Sequence, residues 1–204
     1  GALIVTHAPV LEVMSVPTGT VVRTSTHTIT ADAVVFAAGA WGQDVLPWLR
    51  DKIVSVREHV QGGTGLAVHA PPALRTQNGY IQWIQQNDHW AISGARWASP
   101  HLEVGETDDT KTHAKIQNAL TQFRDLHLDH RATPTHQWSY LWAKTCDGLP
   151  IVGPLPGRSP WVCCTGFMGN DWGIGIRSAH AVVQGLLKGQ APGIPEWMTP
   201  ARFV

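Results

Sequence analysis

A glycine-rich segment, CTGFMGNDWGIG at 164–175, is the part of the sequence best suited to hold a ligand. It carries four glycines in twelve residues, although glycine costs about 0.5–1 kcal/mol per position inside regular structure. An apolar run precedes it and a helical pattern follows it, so free N–H groups and the positive end of a helix dipole would converge there. The glycines at 173 and 175 would let a flat ring lie against the backbone. Tight packing of a strand against a helix explains the same glycines equally well from this segment alone.

A second segment has the same design. The stretch DAVVFAAG at 32–39 is a short apolar run that ends in glycine, the pattern of a buried parallel strand. Two turns of this kind at the carboxyl ends of neighbouring strands mark the edge where an α/β sheet binds ligands. The sequence therefore predicts one ligand site shared by the turn at Ala38 and Gly39 and the turn at 166–173.

Other chemistries have weaker support. The closest group among the eleven histidines is His127, His130 and His136, and no pattern of carboxylates accompanies it, so no metal site is predicted. No nucleophile-elbow pattern is present, so hydrolysis is not favoured. Cys163 and Cys164 are adjacent, and neighbours on a strand point to opposite faces. The three cysteines therefore make neither a disulfide framework nor a zinc site, and a reducing, cytoplasmic location is expected.

The overall composition excludes several classes of protein. The chain has 204 residues, 43% of them hydrophobic, which is enough for a core, and its net charge is zero. Nucleic-acid binding is not expected without a basic stripe, and no apolar run is long enough to span a membrane. Ten tryptophans favour a ligand-lined cleft, although core packing explains most of them. The chain opens at Gly1 almost directly into a strand pattern, which suggests a piece of a longer protein.

The elements that would carry the two turns form an α/β pattern at both ends of the chain. A Pro-Thr-Gly turn joins the first two strands, and Gly189 ends the last helix. The apolar stripe of that helix is predicted to be Ile176, Ala179, Val183 and Leu186. The predicted strands are 9–16, 20–26 and 161–166, and the predicted helices are 41–48 and about 173–188.

The middle of the chain has an antiparallel pattern with one helix. This helix is predicted to begin at Thr107 as its N-cap, with Asp108 and Asp109 in the first turn. Its apolar stripe is Ile116, Leu120, Phe123 and Leu126. The predicted strands are 53–60, 65–69, 80–85, 90–96 and 134–144, with a hairpin turn, QNDH, at 86–89.

Three motifs together resemble the C-terminal part of FAD-dependent oxidoreductases of the D-amino-acid oxidase type, which include glycine oxidase, sarcosine oxidase and D-amino-acid dehydrogenases. They are ITADAVVFAAGAWG at 29–42, TCDGLPIVGPLPG at 145–157 and TGFMGNDWGIGIRSAHAVVQGLLKG at 165–189. The resemblance implies a fold of the α/β plus α+β class. Part of an FAD-binding Rossmann-like domain would come from 1–50 and 145–204, and an inserted antiparallel-sheet substrate domain with one helix from 51–144.

The family begins with a Gly-x-Gly-x-x-Gly unit that holds the FAD pyrophosphate, and this sequence has no such unit. We therefore expect either that the chain is a fragment or that a partner chain supplies the missing N-terminal half.

The resemblance also implies FAD as the cofactor and assigns residues to it. Val10 matches a position whose backbone meets the adenine, and Ala38 and Gly39 match the turn beside the dinucleotide. The turn from Gly166 to Gly173 matches the one that faces the flavin ring, where a helix N-terminus would stabilise negative charge on the reduced ring. The predicted cofactor residues are Val10, Ala38, Gly39, Trp41, Gly166, Gly169, Asn170, Asp171, Trp172 and Gly173.

The sequence departs from the family at the substrate residues. Members like glycine oxidase bind the substrate carboxylate with an Arg five residues before the Asp-Gly pair, and Trp142 stands at that position here. Arg57, Arg96 and Arg177 are the remaining basic candidates, and Arg96 is favoured because it ends a strand that would face the cleft. No catalytic residue is assigned. The predicted substrate-binding residues are Arg96, Trp142, Trp83 and Tyr140.

The resulting prediction is oxidation of the C–N bond of an amine or amino acid, in which a hydride passes to flavin N5 and water hydrolyses the imine. The alternative is a non-catalytic fragment or partner subunit that contributes a β-sheet interaction surface. The missing phosphate-binding glycines favour that alternative, and the flavin-facing motifs oppose it. A tRNA-modifying flavoenzyme of related fold is disfavoured because the chain has no net positive charge.

Overall fold

The computed structural model of the chain describes residues 1–65, 72–129, 132–158, 160–189 and 193–204. These residues form two compact units. The first unit comprises Gly1–Val54 and Ala143–Val204, and the second unit comprises Ser55–Trp142.

A three-stranded antiparallel sheet begins the first unit. Strands β1 (Val10–Val16), β2 (Gly19–Thr24) and β3 (Thr28–Ala31) follow one another in the order β1-β2-β3. The predicted turn between β1 and β2 is confirmed. Gly19 is required in it, because its φ is 139° and a Cβ there would lie 2.7 Å from the carbonyl oxygen of Ala31. The four-residue β3 was not predicted, since so short a strand has no clear alternation.

A second sheet of the first unit contains the parallel pair that the sequence indicates. Its strands are β4 (Val34–Phe36), β10 (Ile151–Pro154) and β11 (Trp161–Thr165), in the order β10-β11-β4. Strand β11 runs parallel to β4, with Cys163 opposite Phe36, and antiparallel to β10. The parallel prediction is confirmed, although β4 is shorter than the predicted 32–39.

The segment after β4 is a series of short turns in place of the single helix predicted at 41–48. A 3₁₀ turn (Gly39–Trp41) leads into one turn of helix, α1 (Gly42–Val45), and a second 3₁₀ turn (Pro47–Leu49) follows. Helix α1 ends at Val45 because Leu46 is extended before Pro47, as residues that precede proline usually are.

The core of the first unit joins both of its sheets. Trp161 packs on Phe36, with ring centroids 5.3 Å apart, and its indole N–H donates a hydrogen bond of 2.9 Å to the buried Thr20 hydroxyl. The buried members of this core are Phe36, Leu46, Leu49, Ile53, Ala143, Ile151, Leu155, Trp161 and Cys163.

Helix α3 (Ile176–Lys188) follows a π-type turn (Asp171–Gly175) and ends at Gly189, whose φ of 70° confirms the predicted stop. The predicted inward stripe of this helix is wrong. Ser178 and Ala181 lie on the buried face, since small residues allow a helix to approach its neighbours closely. The residues that were predicted to face inward are exposed: Ile176, Ala179, Val183 and Leu186.

The second unit is built on a five-stranded sheet. The predicted hairpin turn at 86–89 is confirmed, because Gln86 pairs with His89 at the end of two antiparallel strands. The predicted strand at 65–69 lies outside the described residues except for Gly65. The sheet order is β6-β7-β8-β5-β9, with β5 (Ile53–Thr64), β6 (Ala73–Thr76), β7 (Ile81–Gln86), β8 (His89–Gly94) and β9 (His136–Thr145).

Helix α2 (Ala114–Arg124) packs on this sheet but begins later than predicted at Thr107. The Asp108 carboxylate accepts hydrogen bonds from the Thr110 N–H and hydroxyl at 2.9 and 2.5 Å, and this local turn holds the segment out of a helix. Ile116 and Leu120 are fully buried as predicted. Leu126 is 78% exposed, because it lies in a π-type turn after the helix.

No helix in the described ranges is both long and apolar enough to cross a membrane. Within the same ranges, no three His, Cys, Asp or Glu side chains group closely enough to hold a metal ion. His130 of the histidine group lies outside those ranges.

Candidate functional site

The two turns singled out in the sequence follow neighbouring parallel strands. Because β4 and β11 are hydrogen-bonded side by side in the same direction, their carboxyl ends lie at one edge of the sheet. The structure thus brings Ala38 and Gly39 to the edge where the turn at Gly166 begins. Thr165, the last residue of β11, places a buried hydroxyl at this edge that has no hydrogen-bond partner in the described part of the chain.

The turn after β11 depends on left-handed backbone conformations. Gly166, Met168 and Gly169 have φ values of 76°, 53° and 79°. Asn170 holds the turn closed, because its backbone N–H and side-chain amide both donate to the Phe167 carbonyl, at 3.0 and 3.3 Å. A Cβ at Gly166 would lie 2.5 Å from Cγ2 of Thr145, so close packing explains this glycine.

Packing does not explain Gly173. A Cβ there would meet no atom of the described residues within 4 Å, and its φ is not in the left-handed region. A residue with a side chain would favour the helical turn more than glycine does. Neither packing nor backbone conformation within the described residues accounts for Gly173. Gly39 and Gly169 are also open on the side where a Cβ would point, but their φ values of 54° and 79° account for glycine at those positions.

A cavity of about 560 Å³ lies beside this turn. Its wall is formed by the loop 148–150, by residues of the turn that include Asn170 and Gly173, by Arg177 and Ser178 of α3, and by the C-terminal segment. Small-molecule pockets usually have volumes of roughly 300–1,000 Å³, so this cavity can hold a ligand.

The loop that forms one wall of the cavity is fixed from the C-terminal segment. Asp147 accepts a hydrogen bond from the Leu149 N–H at 3.1 Å, so its own carboxylate closes the turn at this loop. Arg202 donates to both oxygens of the same carboxylate and to the carbonyls of Leu149 and Pro150. The hydrogen bond from Arg202 lowers the pKa of Asp147, so the pair stays ionised.

The other predicted cofactor residues of the first unit are accessible. Trp172 is 89% exposed, and Val10 and Trp41 are partly exposed. Asp171 is the first residue of the π-type turn, and no side-chain capping bond forms there. Its carboxylate nevertheless lies in the first turn of this segment, near the N-terminus of α3.

Two of the predicted substrate residues meet in the second unit. The guanidinium of Arg96 lies between two aromatic rings, 5.1 Å from the Tyr80 centroid and 5.2 Å from that of Trp142. Its Nε also donates to the buried carboxylate of Glu58 at 3.2 Å. Sequence reasoning missed Glu58 and Tyr80. Glu58 lies in β5 beside Arg57 and His59, and this run of charged and polar residues inside a strand is a detectable signal.

The other two predicted substrate residues lie elsewhere in this unit. Trp83 is only 1% exposed and stacks on Trp90, with centroids 5.7 Å apart and planes 16° apart. The structure therefore gives Trp83 a packing position, and a substrate could reach its ring only if the core opened. Tyr140 is exposed on β9.

Arg57, another basic candidate, belongs to a buried ion network. Its Nε donates to Glu103 at 2.6 Å, and His59 Nε2 lies 2.9 Å from the same carboxylate oxygen. Burial tends to raise the pKa of Glu103, but the hydrogen bonds from His59 and Arg57 together outweigh burial and lower this pKa to about 2. At Glu58, burial is the larger effect. It raises the Glu58 pKa to about 6, although the attraction of Arg96 lowers it.

The fold is similar to that of several solved enzymes. Glycine oxidase from Geobacillus kaustophilus superposes with a TM-score of 0.77 at 21% identity over 97% of this chain and 52% of its own. Iminodiacetate oxidase from a Chelativorans species superposes with a TM-score of 0.75 at 18% identity, over 95% of this chain and 52% of its own. L-amino acid deaminase from Proteus vulgaris superposes with a TM-score of 0.71 at 19% identity, over 96% of this chain and 49% of its own. The chain thus spans about half the length of these proteins.

Sequence comparison places the chain in a family. No curated protein sequence matches it. The family model described as FAD dependent oxidoreductase, the D-amino-acid oxidase (DAO) family, matches residues 1–184, which is most of the chain. The protein therefore belongs to the DAO family of FAD-dependent oxidoreductases.

Proposed function

We propose that this chain is part of an FAD-dependent enzyme that oxidises the C–N bond of an amine or amino acid. The observation that carries the proposal is Gly173, which neither backbone geometry nor packing requires and which lies open in the turn after β11. The turn at Gly39 follows the neighbouring parallel strand and also leaves space where a Cβ would point, although its φ of 54° alone favours glycine there. An extended cofactor lying along this sheet edge would use both turns.

The first unit would bind FAD mainly through its backbone. The turn from Gly166 to Gly173 and the N-terminus of the 13-residue α3 would direct amide groups and a positive field at the pyrimidine side of the flavin ring. Val10 would contact the adenine through its backbone, and Ala38, Gly39 and Trp41 would lie beside the dinucleotide. The chain's part is to hold the ring and to stabilise its reduced, negatively charged form.

The second unit would bind the substrate. Arg96 and Trp142, which lie together, and the exposed Tyr140 are the residues proposed for this role, with Trp83 supporting them from the core. Bound FAD supplies the two-electron chemistry, in which hydride transfer to flavin N5 oxidises the C–N bond. The protein would position a neutral amine and release the imine to water, which fits the lack of an assigned general base.

The pyrophosphate site would come from the half of the fold that this chain does not span. The exposed apolar residues of α3, among them Ile176, Val183 and Leu187, support a further polypeptide that covers this helix. That polypeptide is either the remainder of a longer chain or a partner chain. The same exposed surface favours the alternative role, a partner subunit without activity of its own.

An anaerobic reduction experiment separates the two roles. The full-length product of the gene that encodes this chain is loaded with FAD and mixed with a panel of amines and D-amino acids. We expect at least one of these compounds to bleach the visible flavin band and to reduce an added dye under turnover. A flavin that dithionite reduces but that no amine or amino acid reduces would rule out the proposed activity and favour the non-catalytic role.

A further inference from the structure

The positive charge of Arg96 is already matched inside the protein. Its Nε lies 3.2 Å from Glu58 Oε2, and the two side chains are only 15% and 6% exposed. Tyr80 and Trp142 flank the guanidinium, and its Nη1 donates to the Leu102 carbonyl at 3.2 Å. Arg96 is therefore held in one position by a fixed carboxylate, two rings and a backbone carbonyl.

This pairing decides which ligands Arg96 can attract. A carboxylate from a ligand would approach a guanidinium whose charge Glu58 already balances, and the two carboxylates would repel each other at close range. Arg75 is exposed and also attracts Glu58, but less strongly than Arg96 does. A neutral ligand meets no such barrier and can stack on the rings that flank Arg96.

Glu58 also has an unused hydrogen-bond acceptor. Its Oε1 is buried and makes no hydrogen bond within 3.5 Å in the ranges that the structure describes, although the Trp142 indole is near enough to lower the Glu58 pKa. A buried acceptor without a partner is unfavourable, and an N–H donor from a ligand would satisfy it. An amine group carries such donors, whereas an ionised carboxylate has only acceptors.

We infer that Glu58 is a specificity-determining residue that selects amines without a carboxylate on the reacting carbon over α-amino acids. The inference rests on the proposed function in assigning Arg96 and Trp142 to the substrate site. It goes beyond that function because it names the substrate class and the residue that sets it.

Matched ligands and a matched variant test this inference in the FAD-loaded, full-length gene product at about pH 8, where Glu58 is ionised. Benzylamine and phenylglycine differ only by the carboxylate, and the measured quantity is the ratio of their kcat/KM values. We expect the wild type to prefer benzylamine and Glu58→Gln to move the ratio toward phenylglycine by about tenfold or more. Glu106→Gln, which removes an exposed carboxylate near Arg57, should leave the ratio unchanged.

Binding to the wild type gives a second readout that needs neither turnover nor a variant. Isothermal titration calorimetry follows the binding of benzamide and of benzoate, which share a ring and differ in charge. The inference predicts that benzamide binds about tenfold more tightly than benzoate. Benzoate binding as tight as that of benzamide, or an unchanged kcat/KM ratio in a folded Glu58→Gln variant, overturns it. Flavin that no amine reduces, together with a preference for benzamide, would refute the proposed function and leave this selectivity in place.

Discussion

Asp147 and Arg202 form a bidentate ion pair, in which Arg202 Nε donates to Asp147 Oδ2 at 2.6 Å and Arg202 Nη2 donates to Asp147 Oδ1 at 3.1 Å. Arg202 also donates to the Leu149 and Pro150 carbonyls, at 2.9 and 3.0 Å. These bonds tie the C-terminal segment to the loop that walls the cavity beside Gly173. We call this set of bonds the Arg202 clamp. Arg202 lies outside residues 1–184, the range that matches the family model.

Replacing Arg202 with Lys should destabilise the chain, because an ammonium cannot reproduce the planar fork of a guanidinium. The expected loss is about 1–3 kcal/mol of unfolding free energy, measured by urea denaturation. Arg23→Lys is the control, since Arg23 pairs with Glu12 on the surface at 3.0 Å and should change stability by less than about 0.5 kcal/mol. Equal losses in the two variants would show that the Arg202 clamp is no stronger than a surface pair.

The sequence was most informative where the signal is local. The parallel strand β4, the strand β11 and the glycine-rich turn after it could be predicted, because short apolar runs that end in glycine mark strand ends over a few residues. The end of α3 at Gly189 could be predicted because glycine readily adopts the left-handed conformation that ends a helix.

Pairings between distant residues could not be predicted. Asp147 and Arg202 are separated by 55 positions, and nothing in the spacing of either residue indicates the other. Glu58 in β5 and Arg96 in the 3₁₀ turn after β8 are likewise distant in the sequence. The inward face of α3 was missed because the helix carries apolar residues on more than one side, and only packing against β10 and β11 selects the face with small residues.

Val182 and Val183 give a direct test of the face of α3. Val182 is 3% exposed, so Val182→Ala in the 204-residue chain should cost about 2 kcal/mol of unfolding free energy. Val183 is exposed, so Val183→Ala should change the unfolding free energy by less than about 0.5 kcal/mol. If another polypeptide covers this face, Val183→Ala should become costly only in the full-length product. The reverse order of the two losses in the 204-residue chain would show that the helix is rotated.

Trp83 and Trp97 should differ in what they contribute to stability. Trp83 is buried and stacked on Trp90, so Trp83→Ala should cost about 3–5 kcal/mol. Trp97 is exposed and makes an edge contact with Tyr80 at 6.1 Å, so Trp97→Ala should cost about 1 kcal/mol or less. Thermal unfolding of both variants measures the difference. Similar losses would contradict the core position of Trp83.

Stability at low pH should depend on Glu103. Its pKa falls from 4.5 to about 2 on folding. A depressed folded pKa means that the ionised form stabilises the protein, so this contribution is complete above pH 4.5 and is lost as the pH falls toward 2.

The variant Glu103→Gln should therefore lower the melting temperature at neutral pH and flatten its decline between pH 4.5 and 2. Glu106→Gln is the matched control, because Glu106 is more exposed and lies 3.5 Å from the same arginine, Arg57. Melting curves of wild type and both variants at several pH values measure the effect. A wild-type pH profile that Glu103→Gln reproduces would argue against an ionised, stabilising Glu103.

Titration of the full-length gene product with FAD, comparing Gly173→Ala and Gly175→Ala with the wild type, tests the central claim most directly. A Cβ at Gly173 points into open space, whereas one at Gly175 lies 3.7 Å from Asp171 and Phe167 within the protein. The account predicts that Gly173→Ala weakens FAD binding by about tenfold or more while Gly175→Ala stays close to the wild type. FAD binding that Gly173→Ala leaves unchanged, or a wild-type protein that binds no FAD, would contradict it.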